Sequence, residues 1–353
     1  MRIDYITRYA FLAVFPASIC AFAVSDAANL ARNRLYEALS SPSGKLTLSP
    51  EIIIPEPSDP TAILLQANAI STLSATIRTD ARANTAWISG SITALKMFCR
   101  EQEQYRGSFP GPVPVVYCNA VDEDLNDVAE AGAGAILVQV WGGKEVSSLD
   151  DLASDTEWVA LCKAALESGL QPIPEVKIGE AVAASWKEDD VDALVQRLIF
   201  LSEHELVSVL LTVTCDAEGS DSEVPLPKVP KALGKKIPII GSVRVPAKDD
   251  RIADETARFK EAGFTGALLR SDCLPGYRIN PNLDFVGKFW SACIGDLKST
   301  RSKAFGFRAK NNMEKKVATQ WANLQKDVID SGALGDPSDA RTENLKEGEY
   351  RGF

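Results

Sequence analysis

The sequence predicts an α/β fold: eight parallel strands and their helices closed into a (β/α)8 barrel, with an N-terminal targeting segment and a C-terminal helical extension. Three observations carry this prediction. From residue 61 onward, short apolar runs alternate with longer stretches whose apolar residues recur at helical spacing. Eight such runs occur before residue 281, which fits a closed barrel better than an open sheet. Finally, 353 residues with 45% hydrophobic content are ample for a large core. An open doubly wound sheet is the alternative arrangement of the same elements.

Residues 1–39 read as a targeting segment. Arg2 and Arg8 flank the start, residues 9–19 form an apolar run, and the small residues Cys20, Ala21 and Ala23 follow. The run is short for a membrane span. The stretch Ser18-Ile19-Cys20-Ala21-Phe22-Ala23 resembles the bipartite presequences of algae with red-derived plastids, cleaved before the Phe. That resemblance implies import into the plastid stroma, with a transit stretch running to residue 39. An ordinary secretory signal, giving a secreted protein, or an N-terminal membrane anchor is the alternative.

Residues 40–60 carry Pro50, Pro55, Pro57 and Pro60 and are expected to be a linker. The barrel is assigned to residues 61–297. Its strands are expected at 62–67, 86–89, 113–117, 135–140, 172–176, 207–213, 237–240 and 266–269, with helices at 123–131, 156–168, 191–202 and 251–262. Residues 282–297 would supply the last barrel helix. Residues 298–353 form the extension, in which 311–331 place Val317, Trp321, Leu324 and Val328 on one helical face. Before it runs a basic stretch, Lys298 to Lys316, which is either a solvated face or a surface for a protein partner. The polar tail beyond Gly335 reads as mobile.

Composition excludes several functions. With 38 Lys and Arg against 48 Asp and Glu, the net charge of −10 argues against a nucleic-acid partner. His204 is the single histidine, so multi-histidine metal sites and Ser-His-Asp triads are excluded. His204 itself lies among acids in Ser202-Glu203-His204-Glu205 and reads as a surface residue. Seven scattered cysteines without a C-x-x-C pair suit a reducing compartment. Neither G-x-G-x-x-G nor a P-loop occurs. After processing, nothing marks an integral membrane protein.

Four phrases resemble indole-3-glycerol-phosphate synthase, a ribulose-phosphate-binding TIM barrel of tryptophan biosynthesis: Pro114-Val115-Val116 at the third strand, Ala131-Gly132-Ala133-Gly134-Ala135-Ile136-Leu137 at the fourth, Gly169-Leu170-Gln171-Pro172-Ile173-Pro174-Glu175-Val176 at the fifth, and Glu261-Ala262-Gly263-Phe264-Thr265-Gly266-Ala267-Leu268-Leu269 at the eighth. The resemblance implies a carbon–carbon lyase that closes the ring of a carboxyphenylamino-deoxyribulose phosphate with loss of CO₂ and water. A lysine ammonium serves as general acid, carboxylates move protons, and a phosphate cradle lies at the ends of strands seven and eight. The resemblance implies that no metal or organic cofactor is needed.

Carried onto this chain, the family pattern survives in part. At the first strand its Glu and Lys fall on Gln66 and Asn68, while Ser71 is kept. The general-acid lysine of the third strand falls on Cys118, followed by Asn119. A thiol cannot replace a charged, proton-donating ammonium. Glu175 is retained at the fifth strand as the candidate catalytic carboxylate, with Lys177 assigned to the opposite face. The Asn pair of strand six is replaced by Leu211-Thr212-Val213-Thr214-Cys215. Ser242 stands for a Glu and Arg244 for a phosphate-binding Gly on strand seven, and Arg270-Ser271-Asp272 replaces Gly-Glu-Ser on strand eight. Arg244 and Arg270, with Ser242 and Ser271, would bind a phosphate or carboxylate by side chain where the family uses main chain. Alternatively each Arg pairs with a nearby acid such as Asp249 or Asp272. Trp141, just past strand four, either caps a ligand pocket or closes the barrel top.

Two functions therefore remain open: a divergent lyase of this type acting on a phosphorylated small molecule, or a non-catalytic plastid protein that kept the barrel for binding or assembly and meets a partner through its C-terminal extension. Losing the lysine and most of the carboxylates together argues against the ancestral reaction.

Overall fold

The computed structural model describes residues 32–40, 44–56, 62–119, 123–149, 152, 155–214, 224–244, 252–270, 283–295 and 297–298. Two compact units divide at Gly295, the first containing the barrel. The presequence up to residue 31, Ser271, the basic stretch from residue 299 onward and the expected helix at 311–331 lie outside the described residues.

Eight parallel strands close on themselves in sequence order: β1 (Thr47–Ile53), β2 (Ala86–Ser89), β3 (Val115–Tyr117), β4 (Ala135–Gln139), β5 (Gln171–Gly179), β6 (Val209–Thr214), β7 (Ile239–Arg244) and β8 (Gly266–Arg270). Closure comes from β1 pairing with β8 in the register Thr47↔Gly266 to Pro50↔Leu269. The helices are α1 (residues 32–39), α2 (Ala62–Thr79), α3 (Ile92–Gln104), α4 (Leu125–Glu130), α5 (Glu157–Glu167), α6 (Glu180–Ser185), α7 (Glu188–Ser202), α8 (Lys231–Gly234), α9 (Ile252–Glu261) and α10 (residues 283–295). The fold is the α/β (β/α)8 barrel that the alternation of runs predicts. Strands two to eight fall where the apolar runs place them, because strands buried on both faces read as short continuous apolar segments.

The first strand does not. Residues 62–67 belong to α2, and β1 forms from residues expected to be linker. A short apolar run cannot be told from the start of a buried helix by periodicity alone. Here the run continues at helical spacing through Ile70, Leu73 and Ile77, all buried. The proline punctuation that suggested a linker is tolerated because Thr47–Pro50 pair with β8 and Glu51–Ile53 with β2, so Pro50 stands at the changeover between ladders.

Inside the barrel, Trp87, Val116, Leu137, Ile173, Leu210 and Leu268 form a continuous core that Leu35 and Leu39 of α1 join. Both leucines are fully buried. The Leu39 carbonyl accepts a hydrogen bond from the Thr47 hydroxyl (3.3 Å), tying α1 to the start of β1. The folded body thus begins before residue 40, which corrects the boundary drawn at residue 39. Around the outside, helices lie close on the strands. A Cβ on Gly241 of β7 would sit 2.0 Å from the ring of Phe259 of α9, so only glycine fits there.

Candidate active site at the barrel mouth

Side chains at every second position of a strand share a face, and at the carboxyl ends of the strands the inward set turns from apolar to polar. Glu51 of β1, Glu175 and Lys177 of β5, Thr212 of β6, Ser242 of β7 and Arg270 of β8 line one open cavity of about 380 Å³. Cys118 and Asn119, just past β3, and Gln139 of β4 also line it.

Arg270 organises the floor. Its Nε donates to Ser242 Oγ (2.9 Å), Nη1 to Glu51 Oε1 (2.9 Å), and Nη2 to Glu175 Oε1 in a very short bond. Glu175, 1% exposed, also accepts from the Thr212 hydroxyl at 2.8 Å. One guanidinium therefore bridges two carboxylates from different strands, which answers the cost of burying them. Burial by itself would lower the guanidinium's pKa, but Glu175 and then Glu51 outweigh it and hold the group above its ordinary value. It stays charged and gives up no proton near neutrality. The Cys118 thiol is also shifted upward, which keeps it neutral: burial, reinforced by Glu51, pushes it well above the usual thiol range despite the opposing pull of Arg270 and a hydrogen bond with Ser89. A neutral thiol is a weak donor and a poor nucleophile.

Above this floor, Lys177 and Gln139 stand at the rim beside the turn Val140–Gly143, where Trp141 and Gly142 adopt left-handed backbone (φ 55° and 59°). The chain then returns as a bridge, Glu145 pairing with Lys177 and the Val146 N–H donating to the Lys177 carbonyl at 2.8 Å. Glu145 also accepts a very short bond from the Thr214 hydroxyl. Trp141 is half-buried and not part of the cavity lining.

Three of the expected site residues, Glu175, Ser242 and Arg270, meet in this mouth. Arg244 lies in register with Arg270 on the neighbouring strand, while its side chain and Ser271 fall outside the described residues. Ser71 is not at a strand end: it is an exposed residue of α2, as the shift of the first strand requires. The expected acids Asp249 and Asp272 also lie outside the described residues, and the acids that Arg270 engages are Glu51 and Glu175. Lys177 is not on the opposite face, because positions two apart on a strand point the same way. His204 is exposed beyond α7. Glu51 went unrecognised because its strand was read as linker. Its signal, a lone carboxylate in Thr47-Leu48-Ser49-Pro50-Glu51-Ile52-Ile53, is the same as that of Glu175.

Fold and site together define a TIM barrel with a charged, open cavity at the carboxyl ends of its strands. No family model matches the chain, and no curated protein matches it. Among solved structures it is similar to N-acetylneuraminate lyase from Mycoplasma synoviae, at 10% identity over 81% of this chain and 83% of that one (TM-score 0.40). It is similar to a mutant tryptophan synthase alpha-subunit from Pyrococcus furiosus, at 11% identity over 72% and 98% (TM-score 0.41). Dihydropteroate synthase from Stenotrophomonas maltophilia matches at 14% identity over 70% and 92% (TM-score 0.34). At these values the likenesses assign neither reaction nor ligand, and the barrel rests on the chain's own strand pairing.

Proposed function

We propose that this chain is a divergent barrel of the indole-3-glycerol-phosphate synthase type that has kept a small-molecule mouth and does not perform the decarboxylating ring closure. The observation that carries the reading is Arg270 clasped by Glu51, Glu175 and Ser242. On this reading the family's first-strand Glu and Lys, two residues apart, are carried onto β1 with Glu51 taken as the Glu and Ile53 as the Lys position. The reading keeps the first carboxylate alongside Glu175 and loses both ammonium positions, to Ile53 and Cys118. The cation in the mouth's floor is one that cannot donate a proton near neutral pH. Glu51 and Glu175 are engaged with it, so the floor suits holding a polar ligand better than moving protons. The presequence supports a plastid stroma as the site of action, and the free thiols Cys99, Cys118 and Cys162 suit such a reducing compartment. A protein partner for the C-terminal extension belongs to the same proposal.

The test is to give the purified chain the carboxyphenylamino-deoxyribulose phosphate. The expected result is a raised melting temperature without CO₂ release, lost in Ser242→Ala. CO₂ release above buffer would overturn the non-catalytic reading, and no shift at millimolar ligand would overturn ligand binding at the mouth. One observation favours a second reading: Lys177 shares the mouth with Glu175 and could serve as the general acid. In that case CO₂ would be released, and Lys177→Gln would abolish the release.

A further inference from the structure

A second cavity, of about 600 Å³, opens at the other end of the barrel, among the segments that lead into β1, β7 and β8. We propose that this cleft binds a small organic phosphate, independently of the mouth.

Charge is the first argument. Lys45, Lys231, Lys235 and Lys260, from three separate stretches of chain, line the cleft, and no carboxylate does so among the described residues. This occurs in a chain of net charge −10. Lys231, Lys235 and Lys260 make no ion pair among the described residues. Cations of one sign around a concave, low-dielectric wall focus the field on whatever enters. Lysines at the ends of helices also answer the helix dipole, and that accounts for Lys260 in the last turn of α9 and for Lys231 and Lys235 at the single-turn α8. It does not account for their gathering in one cleft with Lys45, which leads into β1.

The floor is the second argument, and it gives the ligand its organic part. Phe264 is 4% exposed and braced edge-on against Phe259, with ring centroids 5.0 Å apart. The Tyr36 hydroxyl donates to the Lys235 carbonyl (3.0 Å), which fixes its ring at the cleft. Ammonium groups around an aromatic floor match a molecule with a phosphate at one end and a ring or apolar body at the other. The wall is also built rigidly. Gly263 has φ +95°, and a Cβ there would lie 2.3 Å from the Val229 carbonyl oxygen, so the turn that presents Lys260 and Phe264 is held against its neighbour.

Calorimetric titration of the full-length chain with phenyl phosphate, inorganic phosphate and heparin, with sodium chloride matching ionic strength, tests this. Phenyl phosphate should bind and inorganic phosphate should bind more weakly. Lys231→Gln/Lys235→Gln and Lys260→Gln should each weaken phenyl phosphate by about tenfold or more. Repeating the titration in Ser242→Ala, which disables the mouth, isolates the cleft: phenyl phosphate should still bind there, and the lysine substitutions should weaken it in that background too, which separates failure here from failure of the mouth reading. No heat with phenyl phosphate at millimolar concentration, equal affinity in the lysine variants, or no binding left in the Ser242→Ala background would each overturn the proposal. So would binding of heparin alone, which would mark a contact for a macromolecular polyanion.

Discussion

Arg270 shows what one residue can settle. Its guanidinium is 16% exposed and its partners Glu51 and Glu175 are 10% and 1% exposed, so the pair of carboxylates has little water to fall back on. Arg270→Met should cost about 3–5 kcal/mol by leaving buried charge uncompensated. Adding Glu51→Gln and Glu175→Gln should return much of that loss, measured by urea unfolding. If the triple variant is no more stable than Arg270→Met, the loss came from packing and not from charge. Thiol burial gives a second expectation. Burial, helped by Glu103 in one case, pushes Cys99 and Cys162 up to about 12 from 9.0. The folded chain then holds its thiol protons where the unfolded chain releases them. The resulting stability is complete below about pH 9 and is lost as the pH climbs toward 12. Urea midpoints should fall on moving from about pH 8 to 10.5, and Cys99→Ala with Cys162→Ala should flatten the fall.

Among elements, α2 and α3 are joined by a buried polar clamp. Arg78 donates to Glu101 at 2.7 Å, with both side chains no more than 6% exposed. The other Glu101 oxygen accepts from Ser74 at 2.9 Å, and Gln102 links the Ser74 carbonyl to the Val113 N–H ahead of β3. The Arg78 guanidinium also lies 3.6 Å over the Tyr105 ring. This network fixes the register of two outer helices with directional bonds where apolar contact alone would allow sliding. Arg78→Ala should therefore destabilise by about 3–5 kcal/mol through the stranded Glu101, and Arg78→Lys should recover only part of it, lacking the planar fork. Chemical denaturation of the two variants distinguishes these outcomes, and equal stability of Arg78→Ala and the parent chain would mean that the clamp is energetically neutral. Neither partner stood out in the sequence, because Arg78 and Glu101 are 23 residues apart and each looks like an ordinary helix-surface charge.

For the whole molecule, the lower end of the barrel depends on α1. Removing residues 1–31 should leave a folded barrel. Removing 1–39 strips Leu35 and Leu39 from the core and should lower the melting temperature sharply, since each buried leucine is worth about 2–5 kcal/mol. Equal melting of the two truncations, followed by circular dichroism, would show that α1 is dispensable. The alternation of apolar runs and amphipathic stretches was enough to indicate the α/β barrel and to place strands two to eight, because burial on both faces writes itself into local composition, while the run at 62–67 was helix and β1 came from the expected linker. Glu175 and Arg270 were legible through the resemblance, which set them at the ends of strands five and eight, and a carboxylate such as Glu175 on an otherwise apolar strand also needs a partner. Which partner it finds was decided only by closure. Glu51 reaches Arg270 across 219 residues of sequence, through the pairing of β1 with β8, and the displaced first strand, the inward turn of Lys177 and the lysine cleft under the barrel likewise depend on register and on contacts between distant segments that no local pattern encodes.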